Sequence, residues 1–177
     1  MSFEVSFQRL ALYNQWMNTS VYQAAKKLSA SELNENRGAY FGSIIGTLNH
    51  IMVGDVFWFK RFSNHPLAFS SLDYFRDIAK PESLNSTMYA DLASLNKARE
   101  IMDKHIVLFT DELTDDVLSS ALKYTDSKGN ESVKNVGYLL QHVFNHQAHH
   151  RGQVSTLFSQ CGVDVGVTDM LALIPDE

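Results

Sequence analysis

The chain has 177 residues, 45% hydrophobic and 20% charged, which fits one domain with a substantial core and excludes a disordered segment. Fifteen basic residues against 20 acidic ones leave a formal net charge of -5. That balance argues against non-specific nucleic-acid binding, which rests on a basic footprint absent here.

The single cysteine, Cys161, cannot form an intrachain disulfide and suits a reducing compartment. It reads as a small apolar residue at a helix end. The N-terminus has no basic region followed by an apolar run, and no stretch approaches the ~18 apolar residues of a membrane span. The expectation is a cytoplasmic protein without a transmembrane segment.

A first helix is expected over residues 7–28, where Leu10, Tyr13, Met17 and Val21 recur at three- and four-residue steps. Asn14, Trp16 and Asn18 interrupt it with side chains able to bond across a bundle. They read as structural amides and a partly buried aromatic, with a pocket wall as the alternative role. Residues 29–39 form a polar connection, and Ser31–Glu35 can make a short helical turn. A second helix is expected over 40–62, ended by Ser63-Asn64-His65-Pro66. Residues 67–81 read as loop and a short helix built on Leu72, Phe75 and Ile78.

A third long helix is expected from Ser83 or Asn85 to Thr110, with Lys97, Arg99, Glu100, Asp103 and Lys104 as a solvated face. Runs at 117–124 and 131–136 around a Gly- and Asn-containing turn predict a β-hairpin. The last long helix starts near Asn135 and ends at Gly162, placed like a C-cap glycine. The tail to Glu177 reads as an extended strap or a short helix before Pro175. Four long amphipathic segments predict an all-α four-helix bundle, with a small β-hairpin between the third and fourth, in a single domain spanning 1–177.

The last helix concentrates four of the seven histidines, His142, His146, His149 and His150. His146 and His150 are one turn apart on one face, so both imidazoles can reach one ion. His149 lies roughly 100° round from its neighbour and is not expected to bind the same ion. A tight site needs a third ligand, and His50 on the second helix is the best candidate. Gly42, Gly46, His50 and Gly54 recur every four residues along one strip. Glycine costs a helix up to ~1 kcal/mol against alanine, so close backbone approach or space beside an imidazole would account for the repeat.

Three imidazoles leave an open coordination position, a catalytic rather than a closed structural pattern. Zinc, nickel and iron all accept such ligands. The ion could lower the pKa of bound water or of a bound thiol. No HExxH places a glutamate beside the pair. His142, Asp55 and Gln153 are the nearest polar candidates for orienting a ligand or moving a proton.

Tyr13-Asn14-x-Trp16-Met17-Asn18, the stretch from Gly42 to Ile51 with Asp55, and the stretch from His142 to Gln153 together resemble the DinB family. The resemblance runs from the first helix to the end of the fourth. It implies a four-helix bundle of up-down-down-up type, often dimeric, related to mycothiol- and bacillithiol-dependent enzymes. The family's metal-binding histidines fall on His50, His146 and His150, with zinc, nickel or another divalent ion as cofactor. The family name comes from damage-inducible expression and implies no nucleic-acid ligand.

Members with assigned activities are mostly thiol S-transferases or isomerases. The expected function is therefore a metal-dependent transfer of a small thiol to an electrophile by a homodimer. The alternatives are a non-catalytic metal-binding or stress-response dimer and a metal-dependent hydrolase.

Overall fold

The computed structural model describes residues 2–126 and 128–176. Helix α1 spans Phe3–Ala25 and buries Phe7, Ala11, Met17, Val21 and Ala25 on one side. The short α2, Ala30–Asn34, is held by a capping box in which Ser29 and Glu32 satisfy each other's backbone amides. It buries only Leu33.

Helix α3 spans Ile44–Phe62, with Ser43 as N-cap accepting from the Gly46 amide. The expected start at Tyr40 is therefore too early. Gly42 adopts φ of 75°, and its carbonyl and amide bond Arg37 and Ala39 in a tight loop. Gly42 consequently lies off the helical strip, whereas Gly46, His50 and Gly54 remain on it. A 3₁₀ turn at Ser70–Leu72 and α4, Asp73–Asp77, then bury Leu72 and Phe75.

Helix α5 spans Leu92–Asp111 and begins later than Ser83 or Asn85. Asp91 caps it, accepting from the Ser94 amide. The preceding segment is held out of the helix by Asn49 of α3. Asn49 Oδ1 accepts from the Met88 and Tyr89 amides at 2.9 and 3.0 Å, and its Nδ2 donates to the Tyr89 carbonyl. The α5 surface also departs from expectation. Lys97, Glu100 and Lys104 are exposed, but Arg99 and Asp103 are only 2% and 3% accessible.

Thr114 caps a short α6, Asp115–Ser119, so Val117 and Leu118 are helical rather than part of the hairpin. The hairpin is β1, Ala121–Thr125, paired antiparallel with β2, Glu131–Asn135, Leu122 facing Lys134. Leu122 is its buried anchor. Asn135 caps α7, Val136–Gln160, and Gly162, at φ of 71°, follows its end. The tail carries a 3₁₀ turn at Met170–Leu173.

The fold is thus all-α with a small antiparallel hairpin, but seven α-helices occur among the described residues, so it is not a simple four-helix bundle. The four long helices share one apolar core. Side-chain pairs give their directions. Phe7 against Phe144 and Asn14 beside Arg151 make α1 and α7 parallel. His50 beside His150 and Trp58 against His142 make α3 and α7 antiparallel. Asp55 with Arg99 and Phe62 with Phe109 make α3 and α5 parallel.

Candidate metal centre

Antiparallel packing of α3 on α7 brings His50, His146 and His150 together, with one ring nitrogen of each within 4.8 Å of the others. His50 Nε2 lies 3.1 Å from His146 Nε2 and 3.2 Å from His150 Nε2. His50 and His150 are buried and His146 is half-buried. Nitrogens ~2.05 Å from a tetrahedral ion stand about 3.3 Å apart, so the spacing fits a shared ion.

The tautomers point the same way. His50 Nδ1 is 2.9 Å from the Leu84 carbonyl, which can only accept, so Nδ1 carries the hydrogen and Nε2 a lone pair. His150 Nδ1 is 2.7 Å from Gln153 Oε1, which leaves its Nε2 a lone pair as well. Two lone pairs facing each other at 3.2 Å repel unless a cation lies between them. That is the chemistry of a ligand set.

The supports around the rings come from several elements. Phe41, in the loop before α3, stacks on His50 with ring centres 3.7 Å apart. Asn49 positions the segment that offers the Leu84 carbonyl. A Cβ on Gly54 would lie 2.8 Å from His146 Cε1, so this glycine makes room for the imidazole. A Cβ on Gly46 would meet the Phe41 carbonyl instead. Beside His50 a cavity of about 270 Å³ opens between Tyr40, Phe41, Asn49 and the segment from Leu84 to Thr87.

Comparison with known proteins agrees with the motifs. The DinB family model matches residues 1–176. The chain belongs to the DinB family. It is similar to Protein DinB of Bacillus subtilis (strain 168), 24% identical over 162 residues, covering 91% of this chain and 89% of that protein. No solved structure matches.

In this DinB-family protein a buried polar network lies directly behind the histidines and joins all four long helices. Asp55 of α3 accepts from Arg99 of α5 and from Gln147 of α7 through the same oxygen, Oδ2. Arg99 also pairs with Asp103 at 2.9 Å. Asp103 accepts from Asn18 of α1 at 2.9 and 3.1 Å. Arg151 of α7 donates to Asn14 and to Gln147. Gln147 and Arg151 each follow a histidine of the triad by one residue. Anchoring them sets the rotation of α7, and that rotation aims His146 and His150 at His50.

Asp55 and Asn14 therefore bond within this network and make no hydrogen bond to the three imidazoles. Trp16 is half-buried, its ring 6.1 Å from that of Tyr13 and paired with none of the triad rings. His142 stands on Trp58, 6.2 Å from the His146 ring. Gln153 alone among the polar candidates contacts a triad histidine, and its amide nitrogen reaches His149 at 3.2 Å.

From the sequence Arg99 and Asp103 read as solvated surface, and Gln147 and Arg151 only as part of the stretch from His142 to Gln153, with no role in a buried network. Their available signal was the four-residue pairing of polar side chains, Arg99 with Asp103 and Gln147 with Arg151, within otherwise apolar helix faces.

The electrostatics keep the triad neutral. Burial, reinforced by the neighbouring histidines, pulls His146 down to about 3. Burial also lowers His50, opposed by its bond to Leu84, and lowers His150, opposed by Gln153. Neutral imidazoles are the form that binds a metal. In the network, burial pushes the Asp103 carboxyl up to about 6 against the pull of Arg99. Arg99 itself is held firmly charged by Asp103 and Asp55, which outweigh its desolvation.

Proposed function

We propose that this protein binds one divalent ion at His50, His146 and His150 and uses it to transfer a small thiol to an electrophile. The observation that carries the metal reading is the convergence of the Nε2 lone pairs at 3.1 and 3.2 Å, two of them fixed by hydrogen bonds on the opposite ring edge. Zinc and nickel suit three neutral imidazoles, and iron is also accommodated. Such an ion supplies one thing, a lowered pKa for a thiol or water beside it.

The chain's own residues do the rest. Leu84 and Gln153 hold the ring hydrogens on the far side of His50 and His150. Phe41 covers one face of His50 and excludes water from it. The cavity along Leu84–Thr87 leaves room for a small molecule at an open position.

Among the described residues none of the hydrogen bonds of the three imidazoles goes to a carboxylate. This favours thiol chemistry over hydrolysis. A thiol releases its proton to solvent, and the thiolate forms the new carbon–sulfur bond as the leaving group departs. Attack by water is ordinarily assisted by a general base of the kind HExxH provides.

Elemental analysis of protein purified without a metal-affinity tag tests the centre. About one ion per chain is expected, lost in His150→Ala. In cobalt-substituted protein, small thiols should shift the visible spectrum, and His146→Ala should abolish the shift. Stoichiometric metal with no thiol response would replace the transferase by a non-catalytic metal protein. Failure to take up any ion on titration would remove both.

A further inference from the structure

A cavity of about 400 Å³ lies apart from the histidine centre, between the end of α3, the α4 region and the hairpin. Its wall carries Lys60, Arg61, Arg76 and Lys80 beside Phe57 and Tyr124, against one carboxylate, Asp126. Four cations in one cavity stand out in a chain of net charge -5.

The partners of these groups decide which cations are free. Lys60 Nζ donates to the Phe75 and Arg76 carbonyls at 2.7 and 2.9 Å. Arg76 donates to the Ser63 carbonyl and pairs with Asp73. Both serve to hold α4 on α3. Asp126 accepts from the Lys128 and Asn130 amides and from the Asn130 side chain, so its oxygens are engaged by its own turn.

Arg61 and Lys80 have no ion-pair partner among the described residues. The Arg61 guanidinium is half-buried, 4.5 Å from the Trp58 ring centre and 4.9 Å from that of Tyr124. Lys80 lies 5.8 Å from the Phe57 ring. Aromatic rings hold an arginine in place without using its N–H donors, which stay available for two parallel bonds to an oxyanion.

We propose that this cavity binds the carboxylate or phosphate of a small molecule, with Arg61 as the anchor and Lys80 as the second charge. A line of rings leads from it to the histidines. Trp58 is 5.2 Å from His142, and His142 is 6.2 Å from His146. An extended substrate held by its anionic end at Arg61 would thus lie along the α3–α7 face with its reacting end towards the triad. That alignment rests on the proposed metal centre, whereas the anion site stands without it.

Trp58 is a built-in reporter, because the chain has only two tryptophans and Trp16→Phe leaves it alone. The fluorescence of that variant is titrated with inorganic phosphate and with malonate at constant ionic strength. A saturable change below on the order of 10 mM is expected. It should weaken roughly tenfold in Arg61→Gln, because a charge-assisted bidentate contact is lost. Lys80→Gln should weaken it less, and Lys97→Gln on the exposed face of α5 should not affect it.

Saturation by phosphate alone or by malonate alone assigns the class of anion. Absence of saturation, or equal affinity in the parent and both cavity variants, overturns the proposal. Lys80 is exposed, so Lys80→Gln carries the test if Arg61→Gln fails to fold. Metal content is measured in parallel. Loss of metal in His146→Ala with phosphate binding retained supports the anion site as independent of the centre, and failure of the metal reading leaves it in place.

Discussion

Gly54 shows how a single missing side chain shapes the centre. It lies in the middle of α3, where glycine weakens a helix, and its Cα faces the His146 imidazole. Alanine there would bring a methyl to 2.8 Å from Cε1, closer than ordinary carbon contacts allow. The helix should gain propensity while the ring is displaced. Gly54→Ala is therefore expected to fold normally and to bind metal about 10- to 100-fold more weakly, the range seen when ligand orientation is disturbed. Competition against a chromogenic chelator reads this directly. Unchanged affinity would mean that His146 is not a ligand. The sequence reading allowed either close backbone approach or space beside an imidazole for the glycines on the face of His50, and at Gly54 the neighbour is the His146 ring. Gly42 shared the spacing but belongs to a loop, since its positive φ is incompatible with a helix start.

At the scale of elements, α7 carries most of what matters, and its start is set by a cap. Asn135 accepts from the Tyr138 amide and ends β2, so one residue closes the hairpin and opens the helix. Asn135→Ala should lower stability by about 1 kcal/mol. The urea midpoint measures it, and no change would mean that packing of α7 alone defines its beginning. The caps explain which boundaries could be read in advance. Asn135 and Gly162 stand beside the first and last apolar positions, and α7 was placed within a residue or two. The start of α5 was misread because Met88 continues the apolar period. What stops the helix there is Asn49, far away in sequence, which takes the Met88 and Tyr89 amides. The hairpin was recognised from its turn, but Val117 and Leu118 were assigned to it because a short apolar run has no distinctive period.

Across the whole molecule, α3, α5 and α7 meet at Asp55, Arg99, Asp103 and Arg151, two acids and two bases with almost no exposure, and α1 joins them through Asn14 and Asn18. Such a group resists partial removal more than it adds to stability as a unit, since an unpaired buried charge is the costly state. Arg99→Leu leaves Asp55 and Asp103 without their principal counter-charge. The expected loss is about 3–5 kcal/mol at neutral pH.

The pH dependence has a definite sign. Burial already holds the Asp103 carboxyl up near 6, and removing Arg99 raises both carboxyls further. A carboxyl whose folded pKa exceeds its unfolded value contributes stability at low pH and loses it as pH rises through the folded pKa. The deficit of Arg99→Leu relative to the parent should therefore shrink as pH falls from above neutrality to about 6, the parent's Asp103 value, and level off below it. Urea denaturation at several pH values checks it. A deficit that is constant with pH would place the cost in lost packing rather than in charge.

The sequence by itself determined the apolar periods, the helical pair His146 and His150, and the His50 motif, because each depends on spacing within one helix. Motifs along the chain were enough to indicate the family. Only the tertiary structure decided that Leu84 and Gln153 orient the rings, that Arg99 and Asp103 are buried rather than solvated, and that Asp55 and Asn14 serve the network. These contacts join residues from 34 to 137 positions apart, except the local bonds of Gln153 with His150, Arg99 with Asp103 and Arg151 with Gln147. Helical periodicity says which face a side chain occupies, but the neighbour on that face is set by how four helices pack around a common core.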